Sequence, residues 1–251
     1  DRRWSTNLGL YGINLLLQRL LAPVTAMAAG QAALAQGIGL FPWLNVTGPA
    51  AVVGGLLLLD LWKYVEHRLM HAVPLLWRVH RVHHADIDVD FTTAERHHPL
   101  EVAIGMWGFA ALTFMLGLPP LAIALYALLA MVVAVFSHAN VRVAQALDTA
   151  LRALIVTPGV HGVHHSAERA ETDSNFGLVM TVWDRLFGTY KADTEEGFAR
   201  RQLGLAEFRD ARSGWLDRVL ILPFLPRPGR PPAMRQDTVR ARDCERSGPP
   251  A

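Results

Sequence analysis

Eleven histidines, all between residues 67 and 165, are the side chains of this 251-residue chain best suited to chemistry. They form one H-x-x-x-H pair, two H-x-x-H-H triads, one adjacent pair and one single residue. In chain order these are His67 and His71; His80, His83 and His84; His97 and His98; His138; and His161, His164 and His165. Neutral imidazole is a good ligand for iron, zinc, copper and nickel. The pattern therefore predicts metal binding.

The spacing within each group also predicts how many ions are bound. Residues i and i+4 of a helix share a face, so His67 and His71 can reach one ion. In each H-x-x-H-H triad the first histidine shares a face with the second or the third, and adjacent histidines diverge by about 100°. Neighbours can therefore serve different ions, and two facing triads predict a two-metal centre. A lone histidine such as His138 is more often packed than ligating, but so many clustered imidazoles without a cation would repel one another on protonation.

The composition restricts the kind of site and its surroundings. The only cysteine is Cys244, so disulfides and thiolate sites are excluded and any metal must have N or O ligands. Hydrophobic residues make up 51% of the chain and the mean hydropathy is +0.22, which indicates a membrane protein. Residues 226–251 carry six arginines against three acids and are predicted to be a disordered tail. We expect no nucleic-acid partner.

Two charge-free runs are long enough to hold membrane hairpins. They cover residues 20–59 and 102–141, and one crossing needs about 20 residues. The second run breaks at Gly117, Pro119 and Pro120, where a helix should stop. The predicted spans are 8–29, 50–70, 102–117 and 120–138. Residues 30–49 are interpreted as an interfacial or re-entrant segment, and 144–156 and 203–222 as amphipathic surface helices.

The distribution of basic residues predicts the orientation of these spans. The turns at 30–49 and 117–120 contain no Lys or Arg, so the positive-inside rule makes the opposite side cytoplasmic. That side carries both termini and every histidine. The predicted fold is therefore an all-α integral membrane protein with about four transmembrane helices in two hairpins and a cytoplasmic histidine-rich helical cap. Residues 1–225 are predicted to form a single catalytic domain, with its diagnostic motifs at 60–190.

The order of the histidine motifs resembles that of the fatty acid hydroxylase/sterol desaturase superfamily of integral-membrane di-iron enzymes. The matching stretches are "HRLMH", "HRVHH", "RHHPLE" and "HGVHH", followed by "DSNFGLVMTVWDRLFGTY". The first spacing argues against the acyl-CoA desaturase branch, whose first motif is usually one residue longer. The resemblance implies that the metal ligands are His67, His71, His80, His83, His84, His98, His138, His161, His164 and His165. It also implies that His97 occupies a variable position and is not a ligand.

Polar residues around these motifs are candidates for holding the ligands in place. Ligating histidines usually donate their second N–H to such a group. The candidates are Asp60, Glu101, Asn175 and Asp184, with Glu66 as a further one. The alternative for each is a surface salt bridge or a helix cap.

The resemblance implies an O2-activating centre with two iron ions, zinc being an alternative occupant of the purified protein. The expected reaction is hydroxylation of a C–H bond of a membrane lipid, with desaturation as the alternative. The chain has no Gly-rich dinucleotide motif and no iron–sulfur cysteine spacing. A separate electron donor is therefore expected, either a ferredoxin or a cytochrome with its reductase. The expected location is a bacterial inner membrane.

Three other classes of protein remain open at this point. A metal transporter or storage protein would carry ionisable residues along its spans. A bis-histidine haem carrier would need only a few isolated histidines, and a zinc hydrolase would need no redox-active metal. Fatty acyl chains, sterols, carotenoids and ether lipids are all open as substrates.

Overall fold

The computed structural model describes residues 2–22, 25–194, 201–210 and 212–226. Within these ranges the chain forms twelve α-helices, two short 3-10 helices at Phe91–Glu95 and Leu222–Phe224, and two isolated β-bridges but no strand. The α-helices are α1 (Arg2–Leu20), α2 (Ala26–Gln36), α3 (Leu40–Trp43), α4 (Gly48–Ala72), α5 (Pro74–His84), α6 (Pro99–Leu116), α7 (Pro120–His138), α8 (Gln145–Leu151), α9 (Pro158–His164), α10 (Arg169–Thr172), α11 (Val182–Leu186) and α12 (Leu216–Ile221). The predicted all-helical class is confirmed.

Three helices of the described chain, α4, α6 and α7, are long and apolar enough to cross a membrane. The predicted break between the last two spans is confirmed, since α6 ends at Leu116 and α7 begins at Pro120. Gly117 caps α6 with a φ of 63°, in the left-handed region that glycine adopts without strain. Pro120 occupies the first turn of α7, where its missing N–H costs nothing.

The first predicted span, 8–29, differs from the structure. The first helix, α1, ends at Leu20 and α2 begins at Ala26, so no single helix covers the stretch. The polar residues of α1 also make this helix unlike a membrane span. Asn7 donates to the side chains of Asp86 and Thr92, and Asn14 donates to the carbonyl of His97. The helix is thus bound to the histidine-bearing cap, and three rather than four helices of the described chain qualify as spans.

The apolar helices pack around one core. The α4 and α7 helices face each other, while α2 lies against α6. Buried side chains between them include Leu59, Leu118, Ile123 and Tyr126. At Gly30 an added Cβ would lie 2.6 Å from Cδ1 of Ile123 and 3.1 Å from the carbonyl oxygen of Leu118, so glycine leaves room for this close packing. The packing fixes α4 and α7 side by side, and both helices end in histidines at the same end of the bundle.

The cap is made of short helices and loops. The predicted surface helix at 144–156 is confined to α8, and the one at 203–222 is confined to α12. Leu147 and Leu154 are exposed, as expected for a surface element. The predicted disordered tail lies, from residue 227 onward, outside the described residues, and so does Cys244.

Candidate metal centre

Nine histidines from four helices and their ends meet at the boundary between the apolar bundle and the cap. Potential ligand atoms within each group lie within 4.8 Å of one another. Group 1 contains His67, His71, His80, His84 and His164, and group 2 contains His83, His138, His161 and His165. All of these side chains are buried except His67, which is partly buried.

Group 1 is organised by the ends of α4 and α5. The Nε2 atoms of His67 and His80 are 3.1 Å apart, and those of His71 and His84 are also 3.1 Å apart. His84 and His80, one turn apart on α5, approach to 3.2 Å through the same atoms. His164 completes the group, with its ring 4.5 Å from that of His67 between centroids.

Group 2 is organised by the end of α7 and by α9. The Nε2 atom of His138 lies 3.3 Å from Nε2 of His83 and 2.9 Å from Nε2 of His161. His165 and His161 approach to 3.2 Å through the same atoms. The lone histidine of the sequence, His138, therefore lies at the centre of this group.

Each H-x-x-H-H triad contributes to both groups. The first and third histidines, such as His80 and His84, share a group, as residues i and i+4 do on a helix face. The middle histidine points to the other group: His83 joins group 2, and His164 of the second triad joins group 1. The divergence of adjacent histidines predicted from the sequence is thus present in both triads.

Acceptors on the far side of the rings fix the orientation of several histidines. The Nδ1 atoms of His67 and His164 donate to the carbonyls of Phe176 and Ser174, at 2.8 and 2.7 Å. On α7, Nδ1 of His138 donates to the carbonyl of its own helix one turn back at 2.8 Å. A carbonyl can only accept, so Nδ1 carries the proton and Nε2 presents its lone pair to the group.

Two carboxylates have the same role in group 1. Nδ1 of His80 lies 2.7 Å from Oε1 of Glu101, and Nδ1 of His71 lies 3.2 Å from Oδ1 of Asp173. Carboxylate partners make the imidazole more basic as well as fixing its tautomer. In four of the five histidines of group 1, an acceptor at Nδ1 therefore fixes the orientation of the ring.

The geometry of both groups fits a bound cation. The Nε2 atoms of His67 and His80, whose protons are on Nδ1, lie 3.1 Å apart and cannot hydrogen-bond one another, so their lone pairs converge. Nitrogens that bind one ion at about 2.1 Å have spacings of this size. In the described chain the buried Nε2 of His164 has no hydrogen-bond partner, which a ligand position explains. The residues present therefore suit two metal ions bound by imidazole.

Burial keeps the imidazoles of the cap neutral. It holds the pKa of His83, His84, His161 and His165 well below 6.5, and the neighbouring imidazoles add to the effect. The pKa of His164 is lowered to about 3 by the same cause. A metal ligand must be deprotonated at the binding nitrogen, so these side chains are in the required state at neutral pH without a carboxylate to assist.

His98 is the predicted ligand that the structure does not bring to either group. Its Nδ1 accepts from the backbone N–H of Leu100 and caps α6, while Nε2 donates to the carbonyl of Leu220 at 3.0 Å. Both ring nitrogens are thus occupied by backbone groups. The neighbouring His97, which was excluded from the predicted set, stacks on His83 at 4.5 Å and hydrogen-bonds Glu101. Of the two adjacent histidines, His97 rather than His98 therefore lies beside the imidazole groups.

Of the four predicted supporting residues, Glu101 is the one that hydrogen-bonds a histidine of the groups. Asp60 accepts instead from Tyr126 and Trp183 and from two backbone N–H groups, so it ties a cap loop to α4. Asp184 accepts from the N–H groups of Phe176 and Gly177 and from Thr189. It therefore holds the segment whose carbonyls orient His67 and His164.

Asn175 also acts through the backbone. It donates to the carbonyls of Val160 and Lys191 and accepts from the N–H of Lys191, and its φ of 53° places it in the left-handed region. Glu66, the further candidate, pairs with Lys63. Asp173 was missed: it is 102 residues from His71 in the chain, and no local pattern marks it.

An all-helical bundle with three membrane-length apolar helices and two imidazole groups at one end defines a membrane protein with a candidate two-metal centre. A family model described as fatty acid hydroxylase matches residues 52–189, which include all nine histidines. The chain belongs to the fatty acid hydroxylase family.

Several curated proteins are similar to this chain over its central part. Human alkylglycerol monooxygenase is 30% identical over 137 residues, or 55% of this chain and 30% of that protein. The ornithine lipid hydroxylase OlsE of Rhizobium tropici is 30% identical over 140 residues, or 55% of this chain and 41% of that protein. Rat methylsterol monooxygenase 1 is 32% identical over 158 residues, or 59% of this chain and 50% of that protein.

The similarity covers only part of these proteins, at most about half of their length. No solved structure matches the chain significantly.

Proposed function

We propose that the protein is an O2-dependent di-iron lipid hydroxylase that inserts one oxygen atom into a C–H bond of a membrane lipid. The observation that carries the proposal is the pair of buried, converging imidazole groups at one end of three apolar helices. The three relatives above are named as monooxygenases or hydroxylases of alkylglycerol, ornithine lipid and methylsterol. Those names favour hydroxylation over desaturation or hydrolysis.

Iron bound by these groups would supply the O2 activation and redox chemistry that zinc lacks. The overall reaction consumes a C–H bond, O2, two electrons and two protons, and yields an alcohol and water. The histidines of groups 1 and 2 would hold the two ions, and the carbonyls and carboxylates behind them would keep each Nε2 aimed inward. Burial of eight of the nine histidines excludes bulk water from most of the centre.

The two electrons must come from a separate donor such as a ferredoxin or a cytochrome with its reductase. We place the protein in the membrane, with the cap on the cytoplasmic side, because α4 and α7 present their histidine-bearing ends to the arginine-rich side. The transporter alternative is weakened by the arrangement of the ligands, which cluster at one end of the spans rather than along them.

Comparative lipid mass spectrometry tests this function. Cells that express the wild-type chain in air should accumulate a lipid heavier by one oxygen atom than in the vector control. Cells that express His164→Ala, which removes a group 1 histidine, should lack it, and so should wild-type cells grown without O2. Asp217→Ala, at an exposed site on α12, should behave as wild type. A lipid that is two hydrogens lighter would indicate a desaturase, and O2-independent cleavage would indicate a hydrolase.

A further inference from the structure

A pocket of about 360 Å³ lies between α4, α6 and α7, beside the last turn of α1. This volume is within the range of small-ligand pockets in proteins. Its walls are formed by Gln18, Lys63, Glu66, His97, Glu101, and a set of mainly apolar residues that includes Met106, Phe109, Ala127 and Ala130. The pocket is therefore polar near the cap and apolar deeper in the bundle, like a lipid with one polar end.

The polar end of the pocket adjoins both imidazole groups. The His97 ring in its wall lies parallel to that of His83 in group 2, with centroids 4.5 Å apart. Glu101, also in the wall, accepts from Nδ1 of His80 in group 1 at 2.7 Å. A ligand that fills the pocket would thus place its polar end beside the candidate metal centre.

The charges at this end are unusual for a membrane-spanning helix. Lys63 and Glu66, both on α4, form an ion pair at 2.7 Å. Ionisable groups on a membrane-spanning helix are costly and usually mark a functional site. The α6 backbone makes room for the pair, since a Cβ at Gly105 would lie 2.8 Å from Oε1 of Glu66. The carboxylate thus sits against α6 where the helix carries no side chain.

The hydrogen-bonding capacity of this end favours a donor. Oε2 of Glu66 accepts from Lys63 at 2.7 Å, and the carboxylate of Glu101, whose Oε1 accepts from His80 and His97, adds a second negative charge to this wall. A hydroxyl group could donate to a carboxylate and accept from the ammonium of Lys63 at once. A lipid carboxylate would face the carboxylates of Glu66 and Glu101, and a lipid ammonium would face Lys63, so both are disfavoured by like charge.

We propose that this pocket receives a single-chain lipid with a free hydroxyl group, held at the Lys63–Glu66 pair. The part of this inference that concerns which carbon is oxidised rests on the proposed function. The hydrocarbon chain would run along α6 and α7 toward Phe109. The carbon presented to the metal centre is then one close to the polar group, not one near the far end of the chain.

Binding of tritiated hexadecanol to the purified full-length chain in lipid nanodiscs tests the pocket without turnover. Unlabelled hexadecanol should displace the label at least about tenfold more effectively than palmitate, hexadecylamine or hexadecyl methyl ether, which differ only in the polar end. Ala127→Phe, which fills the pocket, should weaken binding about tenfold or more. Ala124→Phe, an equal change at an exposed position one turn away and outside the pocket, should stay within about twofold of wild type.

Lys63→Met should weaken hexadecanol binding about tenfold, whereas Arg68→Met, at an exposed position of the same helix, should not. Equal binding by the Ala127→Phe and Ala124→Phe proteins would overturn the pocket assignment, even if Lys63→Met failed to fold. Displacement by palmitate as strong as by hexadecanol would overturn the hydroxyl assignment.

Failure of this inference and failure of the proposed function give different results. If hexadecanol binds as expected but no lipid is oxidised in cells, the hydroxylase function is wrong and the pocket stands. If lipids are oxidised but oxygen is inserted far from the polar end, or pocket filling has no effect, the function stands and this inference is wrong.

Discussion

The two imidazole groups should bind metal with unequal affinity. Four histidines of group 1 have an acceptor behind Nδ1: a carbonyl for His67 and His164, and a carboxylate for His71 and His80. In group 2 only His138 has one in the described chain, and Nδ1 of His83, His161 and His165 is buried without a partner there. Group 2 also has one histidine fewer.

The structure sets the size of the difference. Loss of one such supporting partner typically lowers metal affinity about 10–100-fold. The groups differ by three supported histidines, but these contributions do not add fully. We therefore expect group 1 to bind metal at least about tenfold more tightly than group 2, with about 100-fold as the central expectation.

Stepwise removal of metal by a chelator measures this difference. The purified protein, loaded with ferrous iron, is incubated with increasing chelator, and the metal that stays bound per chain is measured by mass spectrometry. Two phases should appear. His165→Ala, in group 2, should remove the weak phase and keep about one ion, while His84→Ala, in group 1, should remove the strong phase. The reasoning would be refuted if the wild-type protein lost both ions in one phase. It would also be refuted if the strongly bound ion were missing from His165→Ala.

Three further outcomes follow from individual contacts. Asp184→Ala removes three hydrogen bonds to a buried carboxylate and should destabilise the protein by about 3–5 kcal/mol, with Asp217→Ala as the exposed control in thermal unfolding; equal melting of the two would contradict the role given to Asp184. His98→Ala should lower the melting temperature through loss of a helix cap but retain both ions, and loss of metal in this variant would restore His98 as a ligand. In the metal-free protein, His164 stays neutral to about pH 3 when folded but titrates near pH 6.5 when unfolded. Its contribution to stability should therefore be complete above about pH 6.5 and fall by about 1.4 kcal/mol per pH unit below it, and the other buried histidines of lowered pKa should steepen this loss. A melting temperature that rises on acidification would contradict this sign.

The histidine groups were predictable because their geometry is local. The spacing of His80, His83 and His84 on one helix decides which of them share a face, and no tertiary contact is needed for that inference. The break at Gly117 and Pro120 is equally local. That the two triads lie close together could be inferred only because both were predicted to lie on the same side of the membrane.

Contacts between distant parts of the chain explain what the sequence did not predict. His98 and His97 are adjacent, and only the carbonyl of Leu220, 122 residues away, shows which of them is used as a cap. The first span was misjudged because the partners of Asn7 and Asn14 lie more than 75 residues further along the chain. Every residue has a backbone carbonyl, so the sequence could not show that those of Phe176 and Ser174 accept from His67 and His164.

The origin of the oxygen in the product tests the central proposal most directly. The purified protein, with its metal, a reducing partner and the native lipid pool, is incubated under 18O2 in ordinary water, and in parallel under ordinary O2 in labelled water. The account predicts a product lipid that carries one labelled oxygen from 18O2 and none from water, and no product without O2 or reductant. A product labelled only from water, or formed without O2, would contradict it.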